Sequence, residues 1–428
     1  MKHSVELVEL TSGAKGLLID IPDASVVSFD FNFRAGDYLS PKGKWDTAHI
    51  MEHLVLGANS RYKKSRDFSR EFSKNGAYNN ASTGTYHMSY VAECAEFETE
   101  RILDLLCLAI EAPLFLSEEF DAELANVREE LKSRRNNHMH ELSLIAGEAM
   151  GMCDLPYTER EKQLDTITLS DVQAHYTKTH TMQNVRFFVA GPLAKYRQAI
   201  ISRIEAMGLA VGTERIPLPK EAIVPVKKPI VLQDKAVDNV YYRWESAVNH
   251  VLSESEEYKV DALFSTLLGT MHSRIFGAAR ERGLVYGINY GRYRTRDNHL
   301  WWIGGQVLPE NSKQLFELIA NELKAVASGQ FSDTEMLEAQ AQALGNFQRT
   351  YQTVGSVLEA YQEAFIYNGR VEDFAHIPDK IRAVTAGDVI SAAQLCLDGA
   401  SPWSLAFYGA TDALATTDLQ HIVADTYR

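Results

Sequence analysis

The feature that most constrains the fold is a pattern that occurs twice. Ile167-Thr168-Leu169-Ser170-Asp171-Val172 opens a helix, and Val185–Ala190 follows as an apolar strand closed by Gly191. About half the chain later, Val384-Thr385-Ala386-Gly387-Asp388-Val389 opens a helix, and Trp403–Tyr408 gives a strand closed by Gly409. Offsets that agree to within about one residue at both elements are the mark of an internal duplication. A chain of 428 residues is too long for one average domain. The expected fold class is therefore α+β, with two homologous domains, each an antiparallel sheet packed with helices, over residues 1–215 and 229–428. Between them, 216–228 is flanked and filled by Pro217, Pro219, Pro225 and Pro229 together with Lys220, Lys227 and Lys228. Such a segment reads as an extended, semi-rigid linker.

Within the first half, residues 4–35 read as strands. Ser28-Phe29-Asp30-Phe31-Asn32-Phe33 alternates polar and apolar residues with period two, as a sheet with one buried face requires. Gly36-Asp37 and Pro41-Lys42-Gly43 break the strand, and Tyr78–Ala92 alternates again after the turn at Gly76-Ala77. Phe97–Ile110 is an amphipathic helix, and a long acidic helix begins at Ser117.

Charge and cysteine usage narrow the partners. A formal net charge of −14 argues against nucleic acid or an anionic membrane surface. The first residues, MKHSVELVELTSGAKG, hold no apolar core of a secretory signal, and no run of about 18 apolar residues occurs to span a membrane. Cys94, Cys107, Cys153 and Cys396 stand singly, without C-x-x-C spacing. Reduced thiols in a cytoplasmic protein are the expectation.

The chemistry concentrates in His49-Ile50-Met51-Glu52-His53. Its surroundings, Trp45 to Leu56, are apolar and free of glycine and proline, so the stretch is expected on a helix. Positions four apart lie one above the other, so His49 and His53 present two imidazoles to one point and Glu52 leans toward it. H-x-x-E-H is the reverse of H-E-x-x-H and suits a zinc site with its own general base. A third ligand candidate lies on the helix Phe120–Arg135, where Glu123 and Glu130 share one face; Glu129 points about 100° away. His138 and His140 fall on a polar stretch without partners at ligand spacing and are expected on a solvated surface.

His49, Glu52 and His53, followed by Glu130 with Glu123 a heptad earlier, resemble the pitrilysin/insulinase family of zinc metallopeptidases. Asn80-Ala81-Ser82-Thr83 is similar to that family's Asn-Ala-x-Thr strand beside the zinc. The resemblance implies one Zn2+ per chain held by His49, His53 and Glu130, with water in the fourth position and Glu52 as general base. Glu123 would orient a histidine ligand. The edge of Asn79, Asn80 and Ala81 would pair with an extended substrate backbone, which suits unfolded peptides.

The second half carries no histidines in the matching stretch Asp261–Gly269. It carries instead Arg280-Glu281-Arg282-Gly283-Leu284-Val285-Tyr286, which resembles the family's R-E-x-x-G-L-x-Y. The interval from Arg280 to Tyr286 is one residue shorter than the family's. Counting back from Tyr286 places Ala279 at the arginine position, a one-residue deletion reconciles the two counts, and Arg282 is a substitute. The resemblance implies that Arg280 and Tyr286 donate hydrogen bonds to the oxyanion. Family members enclose a chamber with four such units, so a two-unit chain is expected to form a homodimer, or a heterodimer with a related chain. The expected function is a zinc endopeptidase of unstructured peptides. The alternatives are a non-catalytic or partner-dependent subunit of the same fold, and a module that traps peptides without cleaving them.

Overall fold

The computed structural model describes residues 1–428. Two sheets account for all eleven strands. The first contains β1 (Ser4–Glu9), β2 (Lys15–Asp20), β3 (Val26–Phe33), β4 (Tyr78–Thr83), β5 (Met88–Ala95) and β6 (Val185–Gly191), in the order β1-β2-β6-β3-β5-β4. The second contains β7 (Ile230–Gln233), β8 (Val240–Val248), β9 (Ile288–Arg294), β10 (His299–Val307) and β11 (Trp403–Gly409), in the order β7-β11-β8-β10-β9. Without β1, the first order maps strand for strand onto the second. The parallel pair also recurs, as β2 with β6 and β7 with β11, while the other pairings are antiparallel. Two homologous α+β domains are therefore present, as the repeated pattern required.

The repeated helix starts have one cause. Thr168 and Thr385 each accept a hydrogen bond from the backbone N–H three residues on, and Asp171 and Asp388 return it, so both helices start with a capping box. The strands that follow end at Gly191 and Gly409, whose φ values of 149° and 112° disfavour any side chain.

The alternation in β3 has a different outcome from the expected single buried face. Phe29, Phe31 and Phe33 fill the core, but Ser28, Asp30 and Asn32 are buried too. The helix Val354–Asn368, from the second half of the sequence, covers that polar face by packing on β3 and β6. Phe365 meets Phe188 at 5.7 Å between ring centroids, and Gln362 Nε2 donates to Asp30 Oδ2 at 2.6 Å. Reciprocally, the helix His138–Ala149, from the first half, packs on β8 and β11 through Leu142, Ala146 and Ala406. One compact unit is thus residues 1–133, 157–218 and 348–373; the other is 134–156, 219–347 and 374–428. His140 is exposed, as expected, but His138 is half-buried: its ring stacks on Tyr408 at 4.6 Å and meets Tyr241 edge-on. A polar sequence neighbourhood did not reveal two tyrosines brought over by another strand pair.

Residues 216–228 form neither helix nor strand and are tied down along their length. Arg34 Nη1 donates to the Ile216 carbonyl at 2.9 Å and the Tyr38 hydroxyl to the Pro217 carbonyl at 3.0 Å. Further on, the Val224 N–H donates to the Met150 carbonyl at 2.9 Å, and Glu221 accepts from the Cys153 N–H.

Burial pushes the Asp30 carboxyl up to about 6, although Ser89 and Gln362 both donate to it. A carboxyl that binds its proton more tightly when folded lowers stability as pH rises from about 3.8 through about 6. Asp30→Asn removes this term. Its stability relative to the unaltered protein is expected to be more favourable at pH 7 than at pH 4 in urea unfolding; an equal difference at both would contradict the assignment.

Candidate metal centre

The helix Thr47–Val55 is buried on nearly every side and packs on the helix Leu169–Thr179 and on β4. His49 and His53 sit one turn apart on it, with ring centroids 5.0 Å apart at 80°. Glu130, from the helix Ser117–Arg134, brings one oxygen to both: Oε2 lies 3.2 Å from His49 Nε2 and 3.7 Å from His53 Nε2. One donor atom from each of the three residues lies within 4.8 Å of the others. Glu129 turns away and pairs with Lys132 at 2.8 Å.

Both rings are held from behind. Glu123 Oε2 lies 2.8 Å from His53 Nδ1, and Asp46 Oδ1 lies 3.2 Å from His49 Nδ1. A carboxylate behind Nδ1 fixes that nitrogen as the N–H and leaves Nε2 as the donor toward the common point. Asp46 occupies the helix N-cap position but makes no capping bond. Its carboxylate instead takes His49 on one side and the Arg160 guanidinium on the other, at 2.5 Å to Oδ1 and 3.1 Å to Oδ2. Arg160 also reaches Asp37 at 3.7 Å and lies over the Tyr157 ring. Sequence reasoning missed Asp46 and Arg160. The first could have been found one turn before His49, whereas nothing near Arg160 signals its role.

The electrostatics favour a cation at this point. Burial works against charge on His53, but its bonds to Glu123 and Glu130 outweigh that and hold the imidazolium up to about 10. His49 is likewise raised, burial being outweighed by Asp46 and Glu130. The His53 bond holds Glu123 below the usual carboxylate range. Asp46 also stays low, because His49 and Arg160 together overcome its burial. The field that stabilises an imidazolium here also stabilises a divalent ion. Two imidazole nitrogens and one carboxylate oxygen fit zinc, which takes nitrogen and oxygen donors and is held by three protein ligands in open sites.

Glu52 lies outside the trio. Its Oε2 accepts a hydrogen bond from Thr83 Oγ1 at 2.8 Å, which fixes the carboxylate against the end of β4. β4 is the edge of its sheet, so Asn79, Asn80 and Ala81 pair with β5 on one side only. In the second unit, Arg280 ends the helix Phe276–Glu281; its guanidinium lies 4.5 Å over the Tyr286 ring and donates to the Tyr286 carbonyl at 3.1 Å. Tyr286 is 86% exposed. Ala279, the alternative count for the arginine position, is buried in the core, and Arg282 is exposed beside Gly283, whose φ of 66° makes the turn.

Family profiles match both halves. The insulinase (peptidase family M16) profile covers residues 17–150, and the profile of the peptidase M16 inactive domain covers 166–343. The chain belongs to the pitrilysin/insulinase family. The A-factor-processing enzyme of Saccharomyces cerevisiae is 27% identical over 136 residues, which are 32% of this chain and 13% of that enzyme. Human insulin-degrading enzyme is 27% identical over 114 residues, 27% of this chain and 11% of that one, so the match spans a small part of either relative. Two solved structures share the whole fold. A protease from Helicobacter pylori superposes with a TM-score of 0.82 at 15% identity over 96% of this chain and 100% of its own. The peptidase M16 inactive domain from Pseudomonas fluorescens gives 0.81 at 16% identity over 96% and 99%. The metal-ligand trio lies within the stretch matched by the insulinase profile, and Arg280 and Tyr286 lie within the other.

Metal analysis checks the trio. The purified chain is expected to hold about one zinc, lost in His49→Ala, His53→Ala and Glu130→Gln but retained in Glu52→Gln and Glu129→Gln. Asp46→Asn and Glu123→Gln keep the three ligands and are expected to bind zinc about 10–100-fold more weakly. Zinc loss in Glu129→Gln with retention in Glu130→Gln would contradict the assignment.

Proposed function

We propose that the chain is a zinc-dependent endopeptidase acting on unstructured peptides. The observation that carries this reading is the convergence of His49, His53 and Glu130 with Glu52 fixed beside them outside the donor set. Those three residues would hold zinc, which supplies a Lewis acid that acidifies water and polarises a peptide carbonyl. Thr83 occupies Oε2 of Glu52 and leaves Oε1 to take the proton of the attacking water and pass it to the leaving amine. The open edge of β4 takes up an extended peptide by backbone hydrogen bonds, which demands little of its sequence and excludes folded proteins. Arg280 and Tyr286 donate to the oxyanion, where a lost donor typically costs about 2.7–4 kcal/mol.

The partner proposed is a second copy of this chain, which supplies the four units of a closed chamber. The exposed Tyr286, with its ring steadied by Arg280, is available to reach a neighbouring chain. A cytoplasmic setting is part of the reading and is supported by four free cysteines, three of them buried. A second reading, a partner-dependent subunit, is favoured by the short Arg280–Tyr286 interval and by the match of residues 166–343 to the peptidase M16 inactive domain. In that case a related chain completes the site.

Cleavage of quenched unstructured peptides is expected to vanish with a chelator and in Glu52→Gln, which keeps its metal. Turnover by Glu52→Gln at the unaltered rate would rule the mechanism out. Mixing Glu52→Gln with Tyr286→Phe separates the assemblies. If subunits exchange, as tagged pull-down must show, a site built across the homodimer restores about a quarter of the activity. No recovery with proven exchange would place the site within one chain or remove Tyr286 from it.

A further inference from the structure

On the face of the first sheet that carries Asp30, three arginines come together in a chain whose net charge is −14. Asn32 pairs with Arg186 across β3 and β6 and with Ser89 across β3 and β5. By strand alternation, Arg34 and His87 extend the same face beyond those strands. Thr83, which touches Glu52, pairs with Met88 and so belongs to the opposite face, toward the metal centre. Arg215 completes the group from the segment before Ile216, donating through Nη1 to the Ile366 carbonyl near the end of the helix Val354–Asn368.

Backbone carbonyls, which are neutral, accept from all three guanidinium groups. Arg186 Nη1 donates to the Val185 and Gln183 carbonyls at 2.8 and 3.3 Å, and Arg34 Nη1 to Ile216 at 2.9 Å. The carboxylate that Arg186 feels is Glu9, which acts on it less than Arg34 does and is itself paired with Lys15 at 2.7 Å. Arg215 Nε and Nη2 are buried with no acceptor, and so is His87 Nε2. Burial, with Arg34 and Arg186 close by, pushes Arg215 down to about 8. Burial, Arg215 and Arg34 push His87 down to about 3, so the imidazole stays neutral and adds a potential donor without charge. Leaving buried guanidinium N–H groups such as those of Arg215 without an acceptor is unfavourable. The fork of an arginine fits the paired oxygens of a carboxylate or phosphate.

We propose that Arg34, Arg186 and Arg215, with His87, form a binding site for an oxyanion group on the sheet face opposite the metal centre. The anion accepts from Arg215 Nε and Nη2 and offsets the mutual repulsion of the three guanidinium groups. It also fastens three separate pieces of chain: the end of β3, the segment at Arg215, and the end of the helix Val354–Asn368. The group comes either from free inorganic phosphate or from an acidic peptide, and both present the same paired oxygens. This inference does not rest on the peptidase reading and needs no bound zinc.

Thermal unfolding of the full chain in inorganic phosphate, in tetraglutamate peptide and in chloride at matched ionic strength tests it. Stabilisation by phosphate beyond chloride assigns free phosphate as the source, and stabilisation by the peptide alone assigns an acidic peptide. Arg215→Met is expected to weaken the effective anion at least ~tenfold, while Arg61→Ala, at a surface ion pair, leaves it unchanged. No shift beyond chloride from either anion, or an unaltered response in Arg215→Met, overturns the proposal. Should Arg215→Met fail to fold, crystals of the unaltered chain grown with tungstate decide: anomalous density among the three guanidinium groups is expected, and its absence overturns the site.

Discussion

Two imidazoles one helical turn apart supply two donors to a point but never a third, so the centre depends on a second helix held against the first. That constraint reaches far into the first unit. Glu123 and Glu130 must share a face of the helix Ser117–Arg134, one behind His53 and one between both rings. Asp46 must give up capping its own helix to stand behind His49, and Arg160 must be brought from a distant segment to hold Asp46 ionised. The buried and exposed halves of the site differ accordingly. The His49 side chain is 3% exposed and backed by a buried ion cluster, whereas that of His53 is 24% exposed and backed by a partly exposed glutamate. The His53 side of the centre is therefore the more open to solvent.

The duplication leaves the candidate metal centre in one half of the chain only. Both halves keep the strand order, the parallel pair and the capped helix before the last strand of each sheet. Only the first keeps histidines on its zinc-type helix. In the second, the equivalent stretch is free to serve packing, and Leu263, Phe264, Leu267 and Leu268 are buried there. The turn at Gly283 follows the helix that carries Arg280 and leads to the exposed Tyr286.

Legibility in the sequence followed the range of each interaction. Local signals were sufficient for the repeated helix starts, the strands closed by Gly191 and Gly409, and the one-face placement of Glu123 and Glu130, because each depends on spacing along one element. Interactions between distant segments left no such trace. Polar residues of β3 looked solvent-facing, yet a helix more than 300 residues away buries them. His138 looked wet and stacks on Tyr408, and nothing in the sequence near Arg160 signalled that it would hold Asp46 behind His49. The exchange of helices between halves is the common cause of the first two, since periodicity reports that a face is apolar or polar but not what covers it.

The central claim is a three-ligand nitrogen/oxygen centre, and X-ray absorption at the zinc edge addresses it most directly. The structure predicts two imidazole nitrogens and oxygen scatterers from Glu130 and a solvent molecule at about 2.0–2.2 Å, with no sulfur. Four protein ligands, a sulfur shell at about 2.3 Å, or an unchanged spectrum in Glu130→Gln would contradict it.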